Sequence, residues 1–375
     1  MQTFEYIQRF RKNTGANRTK FILASSGIWR FKRAAIHSPI PKHHTRKKSY
    51  TTTRFFMKQD RILIIGAGGQ IGAVLTEALR DVHRPDNVIA TDLRDLGEQE
   101  GPTAVLDALD PSALEELVKK WRITQIYHLA AILSANAEKN PLQAWDINMR
   151  SVFNVLEISR QRQLAKVYFP SSIAVFGREA RHQQTPQYEV LIPETVYGIS
   201  KVAGENWANY YYRKFGVDVR SLRYPGIIGY QSMPGGGTTD YAVDIYHYAV
   251  QNKPYECFLS AHTRLPMLYM PDAIRATLEL MEAPANRLSV RTSYNLAGMS
   301  FTPEEVTASI RKEIPDFRVN YKPDFRQAIA DSWPASIDDS AARADWGWKP
   351  EFDLDAMTKD MLYHLTERYK ASVSV

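Results

Sequence analysis

The chain has 375 residues, 44% hydrophobic and 24% charged, an ordinary globular composition with room for one large domain or a large and a smaller one. It contains no apolar run long enough to cross a bilayer, its single Cys257 excludes an internal disulfide, and its scattered histidines leave no zinc site to expect. The net charge of +7 is uneven: residues 1–57 hold thirteen Lys or Arg and one acid, Glu5, a net of +12 that leaves −5 for residues 58–375.

That leader is basic, rich in Ser and Thr, nearly free of acids, and interleaved with Phe4, Ile7, Phe10, Phe21, Ile22, Trp29 and Phe31. This is the composition of a mitochondrial transit peptide, so residues 1–57 are expected to be a targeting segment and the protein to be mitochondrial. A chloroplast transit peptide, a disordered basic tail and a nucleic-acid-binding arm share parts of the pattern, and Met57 offers an internal start that would give an unimported form. For the rest of the chain the composition suggests no nucleic-acid or membrane partner.

Arg61-Ile-Leu-Ile-Ile65 reads as a buried strand, followed at once by Gly66-Ala-Gly68-Gly69-Gln70-Ile71-Gly72 and a helical apolar pattern through Val74, Leu75, Ala78 and Leu79. Glycines between a strand and a helix start let the backbone turn tightly and approach a pyrophosphate, which the helix N-terminus then stabilises. Asp92 stands at the end of the next strand, twenty residues on, where a carboxylate accepts ribose hydroxyls and repels a 2′-phosphate; this favours NAD over NADP, with Arg94 the one nearby group that argues the other way. Ala104-Val-Leu106-Asp107 reads as a third strand, with Asp107 near the adenine amine, and Asp110-Pro111 as a capped helix start. Gln125-Ile-Tyr-His-Leu129-Ala130-Ala131 is a buried strand ending in small residues, and Asn140-Pro141 opens a long helix carrying Asn148. The alternation predicts a doubly wound parallel sheet, Rossmann-like, and the shorter, more irregular elements beyond residue 226 fit a smaller C-terminal substrate-binding lobe. The expected boundaries are 58–230 for the NAD-binding domain and 231–375 for the part that mainly forms the substrate lobe.

Lys166-Val-Tyr-Phe-Pro170 is the fifth expected strand, and Ser171-Ser172 follow its carboxyl end, the edge at which open α/β sheets bind ligands. Farther on, Tyr197 and Lys201 are four apart and share one helix face. An ammonium beside a phenol favours the phenolate, so Tyr197 is expected to be held below its ordinary value and to serve as a general base. Val217 to Arg223 reads as the sixth strand.

The glycine loop, Ser172, Tyr197-x-x-x-Lys201 and Arg223-Tyr224-Pro-Gly226, in this order and spacing, resemble the extended short-chain dehydrogenase/reductase family. Gly235-Gly236-Gly-Thr238-Thr239-Asp240, Ile132-Leu-Ser134 and Asp331-Ser-Trp333 narrow the likeness to the short-chain-type L-threonine 3-dehydrogenases. That resemblance implies that Tyr197, Lys201 and Ser172 are catalytic: Tyr197 takes the substrate hydroxyl proton, Ser172 hydrogen-bonds the same oxygen, and Lys201 holds the nicotinamide ribose. It implies NAD contacts from Gly66, Gly69, Gln70, Ile71, Gly72, Asp92, Leu106, Asp107, Leu129, Ala130, Ala131, Asn148, Tyr197, Lys201, Tyr224, Gly226 and Ile227. On the substrate side stand Ser134, Ser171, Ser172, Tyr197, Gly236, Thr238, Thr239, Asp240 and Trp333. The implied reaction is oxidation of the L-threonine β-hydroxyl to 2-amino-3-oxobutanoate. The implied assembly is a homodimer, in functional relation with a 2-amino-3-oxobutanoate CoA ligase. A sugar-nucleotide epimerase or dehydratase would share the cofactor motifs, although Ile173-Ala174 lacks the acidic pair of the dehydratases. A non-catalytic NAD-binding subunit would share the fold.

Overall fold

The computed structural model describes residues 60–235 and 237–373; the leader, the targeting reading placed on it, and Gly236 lie outside them. The chain runs β1 (Ile62–Ile65), α1 (Gln70–His83), β2 (Val88–Asp92), β3 (Thr103–Val105), α2 (Pro111–Trp121), β4 (Gln125–His128), α3 (Ser134–Ala137), α4 (Pro141–Arg162), β5 (Lys166–Tyr168), β6 (Ser171–Ser172), α5 (Val196–Phe215), β7 (Val219–Arg220), β8 (Leu222–Tyr224) and β9 (Gly226–Ile228). There follow α6 (Tyr241–Val250), β10 (Tyr255–Cys257), β11 (Leu265–Tyr269), α7 (Met270–Glu282), β12 (Tyr294–Asn295), β13 (Met299–Phe301), α8 (Pro303–Glu313), β14 (Val319–Tyr321), α9 (Arg326–Asp331), α10 (Ser340–Trp346) and α11 (Leu354–Val373).

Six strands form one parallel sheet in the order β3-β2-β1-β4-β5-β7, the doubly wound arrangement expected from the alternation of strands and helices. Strand side chains alternate between faces, and β1 shows the consequence. Ile62 and Ile64 join a core with α1 and α7, through Leu75, Leu79, Ala273 and Ile274, whereas Leu63 and Ile65 join a second core with α2, α4 and α5, through Leu114, Val155 and Ala208. Being covered on both faces, β1 has no polar position, which is why it reads as an unbroken apolar run. Between β1 and β4 the direction of winding reverses, and a cleft opens there at the carboxyl ends of the strands.

The sixth strand expected over 217–223 is split. Val219–Arg220 pairs with β5 in the main sheet, and after Ser221 the chain crosses to a small sheet in which β8 lies between β6 and β12. Arg220 anchors the crossing: its Nη1 donates to the carbonyls of Leu280, Met281 and Ala283, oxygens that the C-terminus of α7 leaves without helical partners. In the small sheet Ser171 is in register with Arg223 and Ser172 with Tyr224. A third core fills the C-terminal part, with Tyr241, Tyr246, Met267, Tyr269, Phe301, Val306, Met357, Met361 and Leu365 buried together. Helix starts are set by local chemistry. Asp110 accepts from the amides of Ser112 and Ala113 at α2, Thr195 accepts from Gly198 N at α5, and Thr302 with Glu305 completes a capping box at α8.

Candidate active site

A cleft of about 1100 Å³, its open mouth included, runs from the glycine loop to the carboxyl ends of β5 and β6 and on to the segment before α6. At one end Gly66 has φ +88°, and a Cβ on Gly72 would lie 2.1 Å from the Gly66 carbonyl oxygen. The loop and α1 therefore touch backbone to backbone. No side chain caps α1 and no acid lies in its first turn, so its leading amides suit an anionic ligand. Gly66, Gly69, Gln70, Ile71, Gly72, Leu129 and Ala131 line this end. Asp92, at the end of β2 and outside the lining of the cleft, is tied to the loop: Oδ2 accepts from Gly68 N at 3.0 Å, and Arg94 reaches Oδ1 at 3.4 Å from the exposed side. These features fit a dinucleotide.

At the other end Ser171, Ser172, Tyr197, Lys201, Tyr224, Gly226 and Ile227 converge with Ser134, Thr238, Thr239, Asp240 and Trp333 on the same space. Pro170 and Ile173, which flank the two serines, line it as well. Asp240 Oδ2 accepts from Gly237 N at 2.7 Å, which folds the glycine-rich segment back on itself. Thr238 is 1% exposed, and its Oγ1 has no hydrogen-bond partner among the described residues. A buried hydroxyl in that state is a donor and acceptor waiting for a polar ligand.

The electrostatics of the Tyr197–Lys201 pair correct one sequence expectation. Burial pushes the Tyr197 phenol up to about 12, against a smaller lowering from its hydrogen bond with Ser172. Burial also brings Lys201 down to about 7, against a raising influence from Glu205. The Lys201 ammonium lies 5.4 Å from the Tyr197 ring centre and 4.6 Å from that of Phe169, and donates to the Pro170 carbonyl at 2.7 Å. Loss of water outweighs the helical neighbour. His128 behind them is brought down to about 3 by burial and then by the Lys201 charge, so the imidazole is neutral there.

Several expected cofactor residues stand outside the lining of the cleft. Asn148 is buried one layer back, where its Oδ1 accepts from Ile132 N at 2.8 Å and its Nδ2 donates to Ile132 O and Ser200 Oγ. It braces the segment after β4 against α5. Asp107 is spent locally, accepting from Leu109 N at 2.9 Å, and Leu106 is buried in the core under α2. Ala130 meets the cleft only through its backbone, which abuts Gly66.

A sequence profile of the NAD dependent epimerase/dehydratase family matches residues 62–297. An uncharacterized epimerase/dehydratase of Staphylococcus saprophyticus is 48% identical over 318 residues, which cover 84% of this chain and 99% of the relative. A GalE-like L-threonine dehydrogenase from Cupriavidus necator, solved in its holo form, is 56% identical with a TM-score of 0.81, over 81% of this chain and 99% of that one. An L-threonine dehydrogenase of Clostridium difficile is 47% identical with a TM-score of 0.81, over 83% and 98% of the two chains. The mitochondrial location expected from the leader is corrected by these relatives. Those of Staphylococcus and Clostridium are bacterial, which points to a cytoplasmic protein rather than a mitochondrial one.

Proposed function

The chain belongs to the NAD dependent epimerase/dehydratase family, and within it we propose that it oxidises L-threonine at the β-hydroxyl to 2-amino-3-oxobutanoate, with NAD as acceptor. The observation that carries this reading is the convergence on one cleft of Tyr197, Ser172 and Lys201 with a small polar enclosure of Ser134, Thr238, Thr239, Asp240 and Trp333. The likeness to solved L-threonine dehydrogenases at 47% and 56% identity supports it.

NAD, held along the glycine loop and Asp92, supplies a two-electron acceptor. The Tyr197 phenolate takes the proton of the substrate hydroxyl while the Cβ–H bond is given up as hydride. Ser172 hydrogen-bonds the same oxygen and holds it toward the phenolate, and the Lys201 ammonium stabilises the negative phenol oxygen before the proton arrives. Thr238 and Thr239 receive the substrate carboxylate, and Asp240 receives its ammonium. Ser134 and Trp333 close the remaining side of the enclosure and exclude water. Residues 231–375 act mainly as the substrate lobe.

The outer faces of α4 and α5 expose Trp145, Trp207, Tyr210 and Phe215, a surface suited to a second copy of the chain across a two-fold axis. The ketone product is handed to a CoA ligase or loses carbon dioxide to aminoacetone.

The test is NAD reduction by purified protein offered L-threonine, D-threonine, L-serine and UDP-sugars, with Tyr197→Phe beside it. The expected result is reduction with L-threonine, lost by a factor of about 10² to 10⁴ in kcat in the variant. Conversion of a UDP-sugar seen by product analysis without net NAD reduction, and no reduction with any amino acid, would instead favour an epimerase or dehydratase, as the Staphylococcus relatives are described.

A further inference from the structure

We infer that Glu205 is a positioning residue of the Tyr197–Lys201 pair, holding the Ser171–Ser172 strand at the cleft and setting the charge on Lys201. The inference rests on the catalytic roles proposed above for Tyr197, Ser172 and Lys201.

Glu205 lies one helical turn beyond Lys201 on the same face of α5. It is 1% exposed, and each of its carboxylate oxygens is used. Ser171 Oγ donates to Oε1 at 2.5 Å, Arg223 Nε donates to Oε1 at 2.9 Å, and Arg223 Nη2 donates to Oε2 at 2.7 Å. The Arg223 guanidinium, also buried, spends its remaining reach on Gln187 O and Asn295 Oδ1. The strand carrying the catalytic hydroxyl is thus tied to α5 at two consecutive residues: Pro170 through Lys201, and Ser171 through Glu205. Ser172 follows directly.

The titratable and charged groups that face Lys201 among the described residues are Tyr197 and Glu205 on its own helix and His128 from β4. Arg223 of β8 stands behind Glu205. His128 is neutral, so Glu205 is the group that opposes the burial of Lys201. With Lys201 brought down to about 7 and Tyr197 pushed up to about 12, the two groups together hold one proton over that range. The reactive distribution of that proton is phenolate with ammonium. A carboxylate one turn away favours that distribution. Removing it lowers Lys201 further and shrinks the reactive share by the same factor.

The experiment is the pH profile of kcat/KM in Glu205→Gln against the wild type, with Ser171→Ala as the variant that loosens the strand and leaves the charge. For Glu205→Gln the expected acid limb is lower by about one pH unit, with a plateau about tenfold lower. Ser171→Ala should lower the plateau with its limb in place. A folded Glu205→Gln protein whose limb stays at the wild-type position overturns the inference. If that variant does not fold, Glu205→Gln with Arg223→Met, which leaves no guanidinium unpaired, should displace the limb in the same direction by a smaller amount, because a positive charge is lost with the negative one, and a limb at the wild-type position there overturns the inference as well. A heteronuclear NMR titration of the Lys201 ε-methylene, without nucleotide or substrate, reads the displacement independently of turnover. An unmoved Lys201 there also refutes the inference, whereas a wild type inactive on L-threonine refutes only the proposed substrate.

Discussion

The contact between the glycine loop and α1 leaves no room for a single methyl group. An ideal Cβ on residue 72 lies 2.1 Å from the Gly66 carbonyl oxygen and 2.9 Å from the Ala67 Cα, where ordinary contacts begin at 3.4 Å. The nearer approach is therefore short by 1.3 Å. Both obstructing atoms are backbone, so no rotamer change relieves the clash, and loop and helix must separate. Over-packing of this kind costs about 1–3 kcal/mol, and rigid backbone on both sides places Gly72→Ala toward the upper end. If the displacement falls on the loop amides, NAD affinity drops by about 30- to 150-fold, at 1.4 kcal/mol per factor of ten. If it falls on the fold, the same energy appears as a lower unfolding midpoint. Titration calorimetry with NAD and a thermal melt, run together, capture both. Gly235→Ala, whose added Cβ meets nothing within 4 Å, should leave NAD affinity unchanged. A Gly72→Ala protein with wild-type affinity and wild-type melting would refute the reasoning.

Three further outcomes follow from the same structure. Because the buried pair holds one proton from about 7 upward, turnover of L-threonine should rise through that pH and hold on the alkaline side, and a rate that falls as pH rises from about 7 would contradict the assignment of Tyr197 as base. Asp92→Ala removes the carboxylate that Gly68 N and Arg94 address, so the ratio of kcat/KM for NAD over NADP should fall by at least about tenfold, measured with both nucleotides at one salt concentration. Asp272, 1% exposed, accepts from Arg275 at 2.7 Å and from the amides of Glu351 and Phe352. Asp272→Ala should lower stability by about 1–3 kcal/mol in urea unfolding, since it leaves the Glu351 and Phe352 amides without their acceptor while Arg275 keeps Glu279 and the Lys349 carbonyl.

What could be read from the chain was what local chemistry writes there. The strand, glycine turn and helix over residues 61–83 follow from apolar runs and from the backbone needs of one tight turn, and the Tyr197–Lys201 spacing follows from the helical repeat. The parallel sheet follows from alternation. The division of residues 217–224 between two sheets was not legible, because Val219 and Leu222 are both apolar and only their partners, Val167 and Tyr294, distinguish them. Nor was the direction of the Tyr197 shift. Spacing reveals the neighbouring ammonium but not the depth at which both groups are buried, and burial decides the sign. The bonds of Asn148 to Ile132 were not legible either, since they depend on how α4 packs under β4. The Glu205–Arg223 pair joins residues on different elements, and no local pattern announces it.

The central claim is that hydride leaves the Cβ of L-threonine in the cleft where Tyr197 takes the hydroxyl proton. The most direct test is NAD reduction by L-threonine carrying deuterium at Cβ, followed by mass analysis of the reduced nucleotide. The account predicts that the deuterium is recovered in the reduced nucleotide and that Tyr197→Phe abolishes its appearance. Reduced nucleotide without the label, or no reduction by a protein that binds NAD, would contradict it.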